Sequence, residues 1–185
     1  ADKRKQVREE LEWQGFGAIS PVVLASPRAD RTDINATLLD LDALEDTILF
    51  ETTGQDVMAS RALRAQVRES WRIEELGAQY SEFIQLFRPV WQALREQDSL
   101  QPMDCFMVRL LLIHEYRKLL LRDPHLPDEL LPGDWEGRAA RQLCRNLYRL
   151  TCAPAEQWLS SAMETADGPL PDASENFYRR FGGLR

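Results

Sequence analysis

A chain of 185 residues with a formal net charge of -7, 44% hydrophobic residues, five Trp and seven Phe can fill a core, which excludes a disordered segment. The acidic balance excludes nucleic-acid binding driven by whole-domain charge, though not by a local basic patch. The longest apolar runs, Leu110–Ile113 and Leu119–Leu121, are too short to cross a bilayer, and no basic segment followed by an apolar stretch opens the chain.

In chain order, Lys3–Gln14 predicts a short charged helix with Val7, Leu11 and Trp13 on its apolar side and Gly15 as its stop. Phe16–Pro27 is rich in β-branched residues and predicts a strand, interrupted or edge-like at Pro21. Thr32 or Asp33 can cap a helix through Leu41, and Thr47–Thr52 predicts a second strand. This alternation suggests a small α/β unit whose first strand would lie before Ala1. Gly54–Ala59 reads as a linker. Beyond it the grammar is helical: Ser60–Trp71, Ile73–Arg88 or further, Asp104–Arg122 and Trp135–Leu150, with shorter pieces near Asp128 and at Ala155–Met163. The proline-rich stretches Asp123–Trp135 and Asp167–Glu175 predict a compact connector and a loop.

Few residues carry chemistry. Cys105, Cys144 and Cys152 are odd in number and lack C-x-x-C spacing, which argues against a disulfide framework or a structural zinc site. Three free, buried thiols in a reducing cytoplasm are expected. His114 and His125 form no H-x-x-x-H pair, and no P-loop, G-x-G-x-x-G or G-x-S-x-G occurs. The composition points away from a motif-bearing enzyme.

Two helices stand out. Asp104–Arg122 is apolar nearly all round, which predicts a central, mostly buried helix with His114, Tyr116 and Arg117 embedded in it. These three read either as satisfied core groups or as the polar lining of a pocket between helices. Arg138, Arg141, Arg145 and Arg149 fall within an arc of roughly 80° on the next long helix. That stripe is either a solvated face or a contact for a polyanion such as CoA phosphates, a DNA backbone or an acidic subunit face. Trp71, Tyr80, Phe83 and Phe87 read first as core.

The stretch LLLIHEYRKLLLRDPHLPDELLPGDWEGRAARQLCRNLY, Leu110–Tyr148, resembles the C-terminal signature of the PaaX family of phenylacetic acid degradation repressors. Trp13–Pro27 (WQGFGAISPVVLASP) resembles that family's middle domain, Trp71–Pro89 the segment between, and Asn176–Leu184 (NFYRRFGGL) its tail. The resemblance covers nearly the whole chain.

It implies a cytoplasmic transcriptional repressor of phenylacetate catabolism that binds operator DNA as a homodimer and leaves it on binding phenylacetyl-CoA, an effector rather than a cofactor. The expected fold is α+β. A truncated ferredoxin-like α/β domain, similar to a CRISPR-associated nuclease family and lacking its first strand, spans residues 1–56, and a mostly helical C-terminal domain spans 57–185. The family's main DNA contacts come from an N-terminal winged-helix domain, whose grammar is absent here. The nuclease relatives carry an acidic residue on the first strand, so nuclease activity is not expected. The chain would be the ligand-sensing and dimerising portion. His114, Tyr116, Arg117, Arg141, Trp71 and Tyr80 match family motifs and are the candidate effector contacts: an aromatic slot for the acyl group and arginines for phosphates. The alternatives are an enzyme acting on acyl-CoA and a structural dimerisation module without its own ligand site.

Overall fold

The structure is a computed structural model that describes residues 2–51, 61–166 and 168–184. Its elements are α1 (Asp2–Trp13), β1 (Gly17–Ser20), β2 (Val23–Ala25), α2 (Arg31–Asp40), α3 (Arg61–Ser70), α4 (Ile73–Arg95), α5 (Pro102–Leu120), a 3-10 turn (Asp128–Leu130), α6 (Glu136–Ala162), β3 (Glu164–Thr165), β4 (Gly168–Pro169), α7 (Glu175–Tyr178) and a final 3-10 turn (Arg180–Gly182). The fold is α+β, mostly helical with two small antiparallel sheets among the described residues. Two compact units emerge, Ala1–Leu76 with Asp123–Asp134, and Gly77–Arg122 with Trp135–Arg185.

In the first unit α1 ends where predicted. Gly15 takes φ +92°, and the Phe16 N–H turns back to the Leu11 carbonyl at 3.0 Å, closing the last turn. Leu11 is the buried residue of α1, while Trp13, expected on the apolar side, is exposed. Phe16–Pro27 is a hairpin rather than one strand. Gly17 pairs with Ala25, Ala18 with Leu24 and Ser20 with Val23. Pro21 has no N–H to give a ladder and a φ suited to a turn, so the chain reverses there, with the Ser20 hydroxyl accepting the Val22 N–H at 3.4 Å.

α2 is capped by Asp30, whose carboxylate accepts the Thr32 N–H at 2.7 Å; that bond holds the carboxyl below its ordinary value. α3 packs on β1, with Ser70 Oγ donating to the Ala18 carbonyl at 2.8 Å. Thr47–Glu51 is not a strand. A strand needs a ladder partner and the described residues supply none, so Ile48 and Phe50 stand exposed. The expected Gly54–Ala59 linker and Thr52 lie outside the described residues. The Asp123–Asp134 connector is compact: Leu126 and Leu130 are buried, and the His125 N–H donates to Asp123 Oδ1 at 2.7 Å.

The second unit is built on α5 packed along α6, beside the Gly77–Arg95 part of α4. Tyr80, Phe83, Phe87 and Leu94 recur at helical spacing and are buried. Phe83 meets Phe87 at 4.8 Å and Tyr116 at 5.4 Å between ring centroids, and Tyr80 meets Trp135 edge-on at 5.6 Å. Gly77 admits this crossing, because a Cβ there would come within 3.0 Å of Glu136 and 3.4 Å of Trp135.

The two helices expected at Trp135–Leu150 and Ala155–Met163 are one, running through Pro154. Proline removes one hydrogen bond and crowds the preceding turn, a cost of about 3 kcal/mol. Burial on both sides offsets it: Leu147, Tyr148, Thr151, Cys152 and Ala155 all lie in the core. Thr151 Oγ1 donates to the Leu147 carbonyl at 2.8 Å, so its hydroxyl is satisfied inside the helix.

Candidate functional site

α5 carries two faces. Cys105, Arg109, Leu112, Tyr116 and Leu119 form the buried one, whereas Met103, Met107, Leu110, Leu111 and Ile113 are exposed. The expectation of a mostly buried helix therefore fails, since an apolar side chain need not be covered. His114 and Arg117 lie on the outward side and are exposed; Tyr116, two and one residues away, is buried. Helical geometry separates them, because adjacent residues turn through about 100°.

The buried cation of this helix is Arg109. It is 8% exposed and pairs with Glu156 of α6 at 2.5 Å, with its guanidinium 5.8 Å from the ring centroids of Tyr148 and Phe177. A buried guanidinium needs such a partner. The reading of residues 114–117 missed it, although its spacing with Cys105, Leu112 and Tyr116 placed it on the core stripe.

All three cysteines are free and buried. Burial pushes the Cys144 thiol up to about 12, and it raises Cys105 and Cys152 as well. Thiols held protonated in the fold but ionised in the unfolded chain favour folding below their ordinary value of 9.0. That contribution is lost as pH rises from 9.0 toward about 12. Urea midpoints falling through this range, less steeply in Cys144→Ala, are the expected result. Thiol titration should find three slow groups in the native chain and three fast ones in denaturant.

Of the other candidates, Tyr80 is sealed in the core at 1% exposure. Trp71 is half-buried in the first unit, its Nε1 donating to the Gly15 carbonyl at 3.1 Å and its indole lying over Gly17. Arg141 is exposed on α6. The arginine stripe is not uniform. Arg149 donates Nε and Nη2 to the Gly183 carbonyl at 3.0 and 2.7 Å, and Arg145 lies against Gly182. Part of the stripe therefore fastens the tail, helped by Tyr148 against Phe181 at 4.9 Å. Arg149→Ala is expected to cost about 1 kcal/mol and to speed tryptic cleavage at Arg179 and Arg180, while Arg141→Ala leaves both unchanged.

A groove of about 500 Å3 opens between α4 and α5. Phe83, Leu86 and Leu119 give it apolar walls, and Glu82, Lys118 and Arg122 line it as well. Lys118 donates to Glu115 at 2.7 Å and holds that carboxyl below its ordinary value; Arg122 donates to Gln79 at 3.1 Å. Apolar walls with a few charged groups suit an amphipathic organic anion. None of the six candidate contacts lines this groove. Its residues recur at spacings of three and four on α4 and α5, a signal present in the sequence but indistinguishable there from ordinary surface.

Among the described residues no cluster of His, Cys, Asp or Glu could hold a metal ion, and no helix is long and apolar enough to cross a membrane. A family model described as the PaaX-like protein C-terminal domain matches residues 71–161, and one described as the PaaX protein central Cas2-like domain matches residues 1–67. The chain is 42% identical over 179 residues to the transcriptional repressor PaaX of Escherichia coli (strain K12). That alignment takes in 96% of this chain and 57% of the length of the relative.

Proposed function

Since the chain belongs to the PaaX family, we propose that it is the effector-sensing and dimerising portion of a cytoplasmic transcriptional repressor of phenylacetate catabolism, not an enzyme. The 42% identity to a repressor, sustained over 96% of the chain, carries this reading. A homodimer positions two DNA-reading domains, and phenylacetyl-CoA favours an arrangement in which they no longer fit the operator. Residues 1–56 would belong to the ferredoxin-like domain.

The chemistry supports an amphipathic effector. Phe83, Leu86 and Leu119 offer apolar surface to an aryl group, and exposed Arg141 offers a guanidinium to a phosphate. His114 and Arg117 are exposed among apolar side chains, a poorer setting for a polyphosphate. Tyr80 and Tyr116 then act as rigid walls behind the groove.

Two measurements test the division of labour. Phenylacetyl-CoA should raise the melting temperature of the chain, because a ligand that binds only the folded state stabilises it by mass action. Fluorescence anisotropy at physiological salt should show no sequence-specific affinity of this acidic chain for the promoter of a phenylacetate gene cluster. Tight, specific binding there would move the DNA-reading surface into these residues and overturn the reading.

A further inference from the structure

The outward side of α5 is a second stripe, almost diametrically opposite the buried one. Met103, Met107, Leu110, His114, Arg117 and Leu121 follow spacings of four, three, four, three and four. Such alternation is the seam of a helix pair. Its apolar members are well exposed: Met103 58%, Met107 42%, Leu110 53% and Leu121 74%. Leu111 and Ile113 flank it at 51% and 36%. Burying these side chains is favourable, and nothing among the described residues covers them.

The stripe is complementary to itself when reversed. Laid antiparallel on a copy about a two-fold axis near Leu112, Met103 faces Leu121, Met107 faces the aliphatic stem of Arg117, and Leu110 faces His114. Leu111 then meets its own copy on one flank of the seam, and Ile113 meets its own on the other. On the Leu111 flank the same register sets Asp104 of one copy opposite Lys118 of the other, twice by symmetry. In the parallel arrangement the Leu111 flank would instead face the Ile113 flank of the copy, where Phe106, Ile113 and Leu120 offer no partner of opposite charge to Asp104 or Lys118. Opposite charges at the flanks and apolar layers between them select the antiparallel dimer. The parallel one would set both charges against apolar side chains instead.

We infer that this outward stripe of α5, Met103 to Leu121, is a two-fold antiparallel interface between two copies of the chain. The inference rests on the homodimer proposed above and names its surface. Lys118 can keep its bond to Glu115 while facing Asp104 of the second copy, since an ammonium has three donors. Isologous contact also closes the assembly at two, with no stripe left over to propagate.

Sedimentation velocity on the 185-residue chain is the test. The wild type should be a dimer. Leu110→Glu, which places two charges in the apolar seam, should raise the dissociation constant about a hundredfold. It should leave the far-UV circular dichroism unchanged, because Leu110 is already half exposed in the monomer. Asp104→Lys and Lys118→Asp should each raise the constant at least about tenfold, and together they should restore it to within about threefold of wild type. That rescue requires the two positions to face each other across the dimer. A dimer indifferent to all of these changes would overturn the interface and leave the homodimer standing. A wild-type chain that stays monomeric at every soluble concentration would overturn both, and would assign the stripe to another occupant.

Discussion

Replacing Arg109 with Ala is expected to destabilise the second unit by about 3 kcal/mol, whereas replacing Arg117 with Ala changes stability by less than about 0.5 kcal/mol. The two residues share α5 and lie only about 80° apart around it, but Arg109 is packed in the core and Arg117 is exposed. Truncating Arg109 strands the Glu156 carboxylate beside Cys152 and removes the guanidinium from against Tyr148 and Phe177. The Glu156 side chain keeps 24% of its exposure, so water relieves part of the loss and holds the cost at the lower end for a buried pair. The double variant Arg109→Met with Glu156→Leu should recover most of the stability, because both charges leave together. Urea unfolding of the three variants decides the matter. A harmless Arg109→Ala would mean that the pair is solvated and the core runs elsewhere.

The second large effect is expected at Trp71. Its indole fills the space over Gly17, and its N–H satisfies the Gly15 carbonyl at the point where α1 turns into β1. Trp71→Ala opens a cavity and orphans that carbonyl, for a loss of about 3 kcal/mol. Trp71→Phe keeps much of the packing and should lose about half as much. Gly17→Ala approaches the same contact from the other side. A Cβ at residue 17 would stand 2.5 Å from the ring, so the indole must move, costing about 1 to 3 kcal/mol. These losses appear together in a thermal melt if Trp71 is a structural wedge. A Trp71→Ala chain that melts normally but no longer responds to phenylacetyl-CoA would instead make the indole a ligand wall.

Helix placement was legible because its signals are local. Gly15 ends α1 as its capping chemistry predicts, and the Tyr80–Phe83–Phe87 spacing marks a core face from sequence alone, although α2 is capped by Asp30 rather than by Thr32 or Asp33. What was not legible depends on partners far along the chain. Pro154 reads as a helix break unless the burial of Cys152 and Ala155 on both sides is known. Thr47–Glu51 has strand composition, but pairing requires a neighbour that composition cannot name. On α5 both faces are apolar, so sequence could not choose between them; the choice fell on Arg117, and the core took Arg109. The groove and the role of Arg149 at Gly183 depend on approaches between residues 34 to 43 positions apart, beyond the reach of helical periodicity.

Calorimetric titration of the chain with phenylacetyl-CoA, CoA and phenylacetate is the decisive test of the proposed effector recognition. A saturable heat with phenylacetyl-CoA is expected, with much weaker binding of CoA, which lacks the aryl group, and of phenylacetate, which lacks the phosphates. The heat-capacity change should be negative as apolar surface is buried. A folded chain that gives no heat with phenylacetyl-CoA, or that binds CoA equally well, would overturn the proposed effector role.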